Sequence, residues 1–327
     1  MFSLVIAFNI RYDFYGVIFG NMETQLTGPS ERFLKIKHLI ENPKKYNSYF
    51  MGSSRVGKID TRNIIDDNSW YNLAYPEGVP FEHLSDIKLL LKKGVTIKNL
   101  NIGLDNISYL VAPETHLNKL IFRAYDESCS TIFDFLIAKP SLSKIKTIYK
   151  AEKMVDKVDY DIYNSGLQIL LNKDKWIDSN IESHINNQKF SSPTWAGNYY
   201  NRTTKTIDEI SEIVKLCKYN NIKLKLFINP MHSTTYLKLD IDEYLTFLKL
   251  LVKQNSFYDF SGINQITINN FNYYETSHYR PFIGEMIKSV IFEKANTNFN
   301  YLVTLENIDS ISKVKKNDFK KTQNRIR

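Results

Sequence analysis

The sequence predicts an α/β protein built on a parallel sheet with helices on both faces. Three observations carry that prediction. Short apolar or aromatic runs alternate with amphipathic helical stretches, the rhythm of strand–helix–strand units. The runs are closed by turn residues, at Gly52, Gly78, Gly103 and Asn229-Pro230. The chain is also long enough, at 327 residues of which 43% are hydrophobic, to bury a sizeable core.

Taken in order, Tyr46–Met51 is short and aromatic and predicts a first strand, and Trp70–Ala74 predicts a second. Glu82–Lys93 places Leu84, Ile87, Leu90 and Leu91 at helical spacing, with Gly94 as a stop. Thr96–Gly103 alternates and predicts a strand. Ile207–Asn220 predicts a helix with an apolar stripe through Ile210, Ile213, Val214 and Leu216. Lys223–Ile228 is a strand, Ile241–Lys253 a helix, Ser256–Phe260 a short strand, and Pro281–Phe292 a helix with proline in its first turn. Between about 107 and 204 the rhythm breaks, which predicts a partly helical insertion. Residues 1–44 read as an N-terminal lead-in, 45–294 as the main domain, and 295–327 as a basic tail.

The apolar run Phe2–Phe8 has two readings, a buried strand or the remnant of a membrane anchor that starts upstream. Two cysteines, Cys129 and Cys217, exclude a disulfide scaffold and read as core residues. The six histidines show no ligand spacing, so neither a metal nor another cofactor is expected. The net charge of +8 is concentrated at the end of the sequence. Residues 311–327 carry seven Lys/Arg against one Asp, leaving about +2 for the other 310 residues. That is a charged tail, expected to be solvated, and not a nucleic-acid groove.

In open α/β sheets chemistry gathers at the carboxyl ends of the strands. The first such end reads Gly52-Ser53-Ser54-Arg55-Val56-Gly57-Lys58-Ile59. One reading is a phosphate loop, since Gly52 to Lys58 fits G-x-x-x-x-G-K, although Ile59 stands where a magnesium-binding hydroxyl belongs. The other is a nucleophile turn, with Ser54 exposed at the sheet edge and backbone N–H groups available to an oxyanion. A serine needs a base, and Glu275 and His278, three residues apart, supply a carboxylate–imidazole pair.

Gly52-Ser53-Ser54 with a distant His278 resembles the SGNH (GDSL-like) hydrolase superfamily, and within it the envelope branch that acts on acylated cell-surface polymers. Asn72-Leu73-Ala74, Ile102-Gly103-Leu104-Asp105, Phe227 to His232, Tyr258 to Gly262 and Ser277 to Pro281 follow in the order of that pattern, covering roughly 45–290 apart from the insertion. The resemblance implies a three-layer flavodoxin-like fold, with Ser54 as nucleophile and His278 as base. Glu275 stands where the superfamily usually has aspartate, with Asp259 as the substitute. The oxyanion would be met by the N–H of Ser54, with Gly52, Asn72 and Gly103 nearby. Asp105 occupies the usual asparagine position and brings a negative charge, which Arg55 would offset unless it is a surface charge. His232 is a further cleft candidate, and Trp195, Asn198, Tyr199 and Tyr200 a sugar-stacking edge.

The resemblance further implies a serine acyl-ester hydrolase or O-acyltransferase of the cell envelope, acting on a carbohydrate or acylated polymer. A membrane-bound acyl donor would be its partner, and no nucleic acid is expected. The alternatives are a catalytically degraded fold that binds polysaccharide or a biosynthetic partner, and a P-loop nucleotide-binding protein; for location, the alternative to the envelope is the cytoplasm.

Overall fold

The computed structural model describes residues 2–23, 25, 27–142, 145–146, 159–193, 200–293 and 301–326. The first apolar run is not a strand. Seven apolar residues in a row carry no period to choose between helix and strand, and here they wind into α1 (Phe2–Tyr12). Asn9 on that helix donates to the Leu136 and Ala138 carbonyls at 2.7 and 2.8 Å. Next comes α2 (Glu31–Glu41), whose Ile36 and Leu39 are fully buried in the main core. This part of the lead-in therefore packs with the sheet.

Strand β1 (Ser48–Gly52) follows, then β2 (Trp70–Asn72), α3 (Pro80–Lys92), β3 (Asn99–Leu104) and the short α4 (Asn106–Leu110). The interrupted stretch contributes α5 (Cys129–Ile137), an antiparallel ribbon of β4 (Asp159–Asp161) and β5 (Leu167–Ile169), α6 (Leu171–Ser179) and α7 (Ile181–Ile185). The regular alternation then resumes with α8 (Thr203–Tyr219), β6 (Lys223–Ile228), α9 (Ser233–Tyr236), α10 (Ile241–Leu251), β7 (Phe257–Asp259) and α11 (Pro281–Glu293).

The last segment departs from expectation. A solvated tail was predicted from its charge, yet β8 (Tyr301–Val303) joins the sheet and α12 (Ile308–Ile326) lies on the core. Ile308, Ile311, Lys315 and Phe319 share one buried helical face.

The main sheet has the order β2-β1-β3-β6-β7-β8. Its first five strands are parallel and β8 is antiparallel to β7. Alternate side chains separate into two layers of core, as a strand's period of two requires. Tyr49, Met51, Leu226 and Ile228 pack with α2, α3, α8, α10 and α12. Phe50, Trp70 and Phe227 pack on the opposite face with Ile283, Ile287 and Ile291 of α11. Because β1 is followed by β2 on one side and β3 on the other, the chain reverses its direction of progress beside β1. The carboxyl ends of β1 and β3 flank that switch point, the position at which open α/β sheets generally place their sites.

Candidate functional site

The turn after β1 is shaped by two glycines. Gly52 and Gly103 are in register on adjacent strands. A Cβ on Gly103 would lie 2.4 Å from Val56 Cγ2, and one on Gly52 would lie 2.5 Å from the same atom. Gly52 also has φ +152°, which side chains disfavour. The pair thus forms a notch that seats Val56 and folds the segment Ser53–Lys58 back against the sheet. Asn72, at the end of β2, fixes the segment from outside. Its Nδ2 donates to the Val56 and Ile59 carbonyls at 2.8 and 2.9 Å, and its Oδ1 accepts from Ala74 N at 3.0 Å.

That folding separates the two serines. Ser53 is buried and donates to Asp105 Oδ2 at 2.7 Å. Ser54 turns outward, and its Oγ lies 2.8 Å from His278 Nε2. His278 sits on the loop before α11, which is closed by a bridge between Tyr273 and Tyr279 and by Tyr274 N donating to the His278 carbonyl. Glu275 lies within this loop. Its carboxylate accepts the N–H groups of Ser277 at 2.6 Å and His278 at 3.1 Å, and stands 2.5 Å from His278 Nδ1. An ionised carboxylate only accepts, so Nδ1 carries the proton of that bond and Nε2 offers a lone pair to the Ser54 hydroxyl. Serine, imidazole and carboxylate form a line across 224 residues of sequence.

Behind the line lies a buried ionic cluster. Arg55 is fully buried, so the surface-charge reading fails. Its Nη1 is 2.8 Å from Asp105 Oδ2 and 3.0 Å from Asn106 Oδ1, while Nε and Nη2 reach the Ser277 carbonyl and hydroxyl at 2.8 and 3.2 Å. Asp105 also caps α4 through Ile107 N at 2.9 Å and receives Asn229 Nδ2 at 3.3 Å. One guanidinium therefore ties the Ser53–Lys58 turn, the end of β3 and the His278 loop together.

Several expected contributors have other work. Asn72 spends its amide on the turn and has no N–H left for an oxyanion. Gly103 lies inside the ladder between Gly52 and Phe227, where it makes room for Val56. Asp259 bonds Ser261 N and Oγ at 2.9 and 2.6 Å and pairs with Lys315 at 3.1 Å, and Glu275 holds the position beside His278 that Asp259 was to fill. His232 is buried against Phe190 and Tyr273. Its Nδ1 accepts from Thr234 N at 3.1 Å, capping α9, and its Nε2 lies 2.9 Å from Asn270 Oδ1. Burial lowers its pKa, which favours this neutral, structural imidazole.

The phosphate-loop reading fails at Lys58. Its ammonium is buried, 3.1 Å from Gln168 Oε1, and burial pushes its pKa down to about 7. Trp195, Asn198 and Tyr199 lie outside the described residues, whereas Tyr200 is exposed and donates its N–H to the Leu110 carbonyl at 3.0 Å. Cys217 is a buried free thiol.

Two functional groups escaped the sequence reading. Ser277 is a ligand of Arg55, a tertiary contact that no local spacing announces. Asn106 has a buried Nδ2 with no hydrogen-bond partner, right beside Arg55. Such a group is costly in a fold and marks places of functional interest.

Among the described residues, no cluster of three or more His, Cys, Asp or Glu could hold a metal ion, and no helix is long and apolar enough to cross a membrane. No protein-family model matches the chain and no curated protein matches it in sequence, so the geometry of Ser54, His278 and Glu275 is the ground on which its chemistry is argued.

Proposed function

We propose that the protein is an SGNH-like serine acyl-ester hydrolase or O-acyltransferase that acts on a cell-envelope carbohydrate. The observation that carries this reading is the Ser54–His278–Glu275 line at the carboxyl end of β1. The strand order beside it supports a flavodoxin-like frame, because the first five parallel strands follow the 2-1-3-4-5 pattern when numbered within the sheet. The carbohydrate and the envelope rest on the resemblance of the motifs.

In this mechanism Ser54 Oγ attacks the ester carbonyl carbon while His278 Nε2 takes its proton. Glu275 holds the imidazole by Nδ1 and stabilises the imidazolium that results. The carbonyl oxygen becomes an oxyanion, and in this reading the N–H of Ser54 receives it. Among the described residues that N–H has no other acceptor. His278 then returns its proton to the departing alcohol, leaving an acyl-Ser54. Water or a sugar hydroxyl, deprotonated by His278, attacks the acyl carbon and releases Ser54.

Asp105 is compatible with this chemistry because Arg55 neutralises it within the fold. That pairing weighs against the degraded, binding-only reading, which Asp105 had motivated. Lys58, turned into the protein, weighs against nucleotide binding.

A fluorophosphonate probe tests the proposal. The expected result is a phosphonylated Ser54 by mass spectrometry, with labelling abolished in Ser54→Ala and His278→Ala. A folded wild-type protein that stays unlabelled would sink the enzymatic reading.

A further inference from the structure

Away from Ser54, a cavity of about 630 Å³ opens between the first turns of α3, the segment 113–124 and the first turns of α8. That volume lies in the range of small-ligand sites. None of its lining residues belongs to the Ser54 line. Much of its wall is apolar and open to solvent. Phe81 is 52% and Leu117 66% exposed, and Leu120 and Phe122 beside them are only half-buried. An apolar ligand that covered these side chains would take their surface out of water, which is favourable.

Beneath that wall the polar groups satisfy one another. Glu82 accepts from Arg32 at 2.9 Å and lies 3.0 Å from His116 Nδ1. Glu209 takes Arg202 at 2.6 Å and the backbone N–H of Phe81. The two carboxylates are occupied by the protein's own donors, so the floor requires neither hydroxyls nor an ammonium from a ligand.

The charge that faces the cavity is unbalanced. Arg32, His116, Lys119, Arg123, Arg202 and Lys205 line it against three carboxylates, Glu82, Glu114 and Glu209. His116 belongs with the cations because each of its ring nitrogens meets a carboxylate, Glu82 at 3.0 Å and Glu77 at 3.2 Å, and a carboxylate only accepts. Against the effect of burial, those hydrogen bonds raise its pKa to about 9. The other acids that pair with these cations, Glu77, Asp86 and Asp134, are not part of the wall. Lys119 and Lys205 are exposed, and among the described residues neither has a carboxylate in ion-pair reach. The Lys119 ammonium lies 5.6 Å from the centre of the Phe122 ring, which places a cation at the edge of the apolar wall.

We propose that this cavity binds a small amphipathic anion, a carboxylate carried on an apolar chain. The chain lies against Phe81, Leu117 and Phe122, and the carboxylate accepts from Lys119 and Lys205. An ammonium on the same chain would be repelled by those lysines. Inorganic phosphate would use the charge and leave the apolar wall wet. A neutral alcohol would use the wall and leave the lysines unmatched. The site goes beyond the chemistry proposed for Ser54 and does not depend on it.

Isothermal titration calorimetry of the full chain with octanoate tests the site, with 1-octanol, octyltrimethylammonium and inorganic phosphate as comparison ligands. Octanoate is expected to saturate one site below about 1 mM and to bind at least about tenfold tighter than each of the other three. Lys119→Glu combined with Lys205→Glu should weaken octanoate at least about tenfold and leave octanol unchanged, whereas Leu117→Ser should weaken both. All three positions are exposed, and circular dichroism checks that the variants are folded. Absence of octanoate binding to the wild type overturns the proposal. So does equal or tighter binding of any comparison ligand, and so does octanoate affinity that survives either set of variants, because the ligand then sits elsewhere. Ser54→Ala should bind octanoate as the wild type does, and a loss there would place the ligand at Ser54 and overturn the separate site. The fluorophosphonate result is independent of these outcomes, so failure of the cavity and failure of the Ser54 reading are told apart.

Discussion

Glu275 does with one extra methylene what an aspartate would do from a closer backbone. The loop absorbs the added length by folding its N–H groups of Ser277 and His278 onto the same carboxylate. The sequence placed Glu275 and His278 one turn apart, and that much of the site was legible. Their approach to Ser54 was not, because it depends on a contact across 224 positions. Glu275→Gln keeps the shape but loses the charge and the tautomer control. It should slow phosphonylation of Ser54 by roughly 10²- to 10⁴-fold. Labelling time courses measure this, and an unchanged rate would mean that the carboxylate merely braces the loop. Arg55 is a positioning residue of a different kind. Arg55→Met would leave Asp105 buried without its cation, and should cost about 3–5 kcal/mol of stability. Urea unfolding reads that cost, and a loss below about 1 kcal/mol, the range of an exposed pair, would show that Asn229 and Ser53 alone satisfy the carboxylate.

At the scale of elements, the glycine notch decides where the Ser53–Lys58 turn can sit. Gly103→Ala would push Cβ into Val56 Cγ2 at 2.4 Å and the Phe227 ring at 2.6 Å. Both neighbours are buried, so strain of about 1–3 kcal/mol is expected, together with slower labelling as Ser54 shifts from His278. A variant as stable and as reactive as wild type would remove the notch from the account. The strands and helices themselves were largely legible, because Lys223–Ile228 and the stripes of α3, α8 and α10 carry clear periods. Asn72 shows where legibility stops. Its place on the second strand was predicted, although that strand ends at Asn72 and not at Ala74, and which way its amide faces depends on the turn opposite. The charge count misled at residues 311–327, because a sum does not say that Lys315 is directed inward to Asp259. The spacing of Ile308, Ile311 and Phe319 held the better signal.

Across the whole molecule, stability should carry an alkaline component from Lys58. Burial draws its folded pKa down to about 7 against the partial opposition of Glu31 and Asp174, whereas an unfolded lysine titrates near ~10.4. Between those values the unfolded chain holds the extra proton, so this contribution makes the protein more stable as pH rises. Lys58→Met should lack that rise, with the difference between the two proteins narrowing steadily above neutral pH. Urea midpoints for both at neutral and alkaline pH check the sign, and parallel profiles would refute it. The sheet has a consequence of another sort. Strand β7 is covered on its outer side by β8, which arrives from residues 301–303. During synthesis every parallel strand and its helices precede that cover. A nascent chain waits with the edge at Phe257–Asp259 open to any extended neighbour. A chain truncated before residue 301 would keep that edge unpaired, and is expected to aggregate more readily than the full chain.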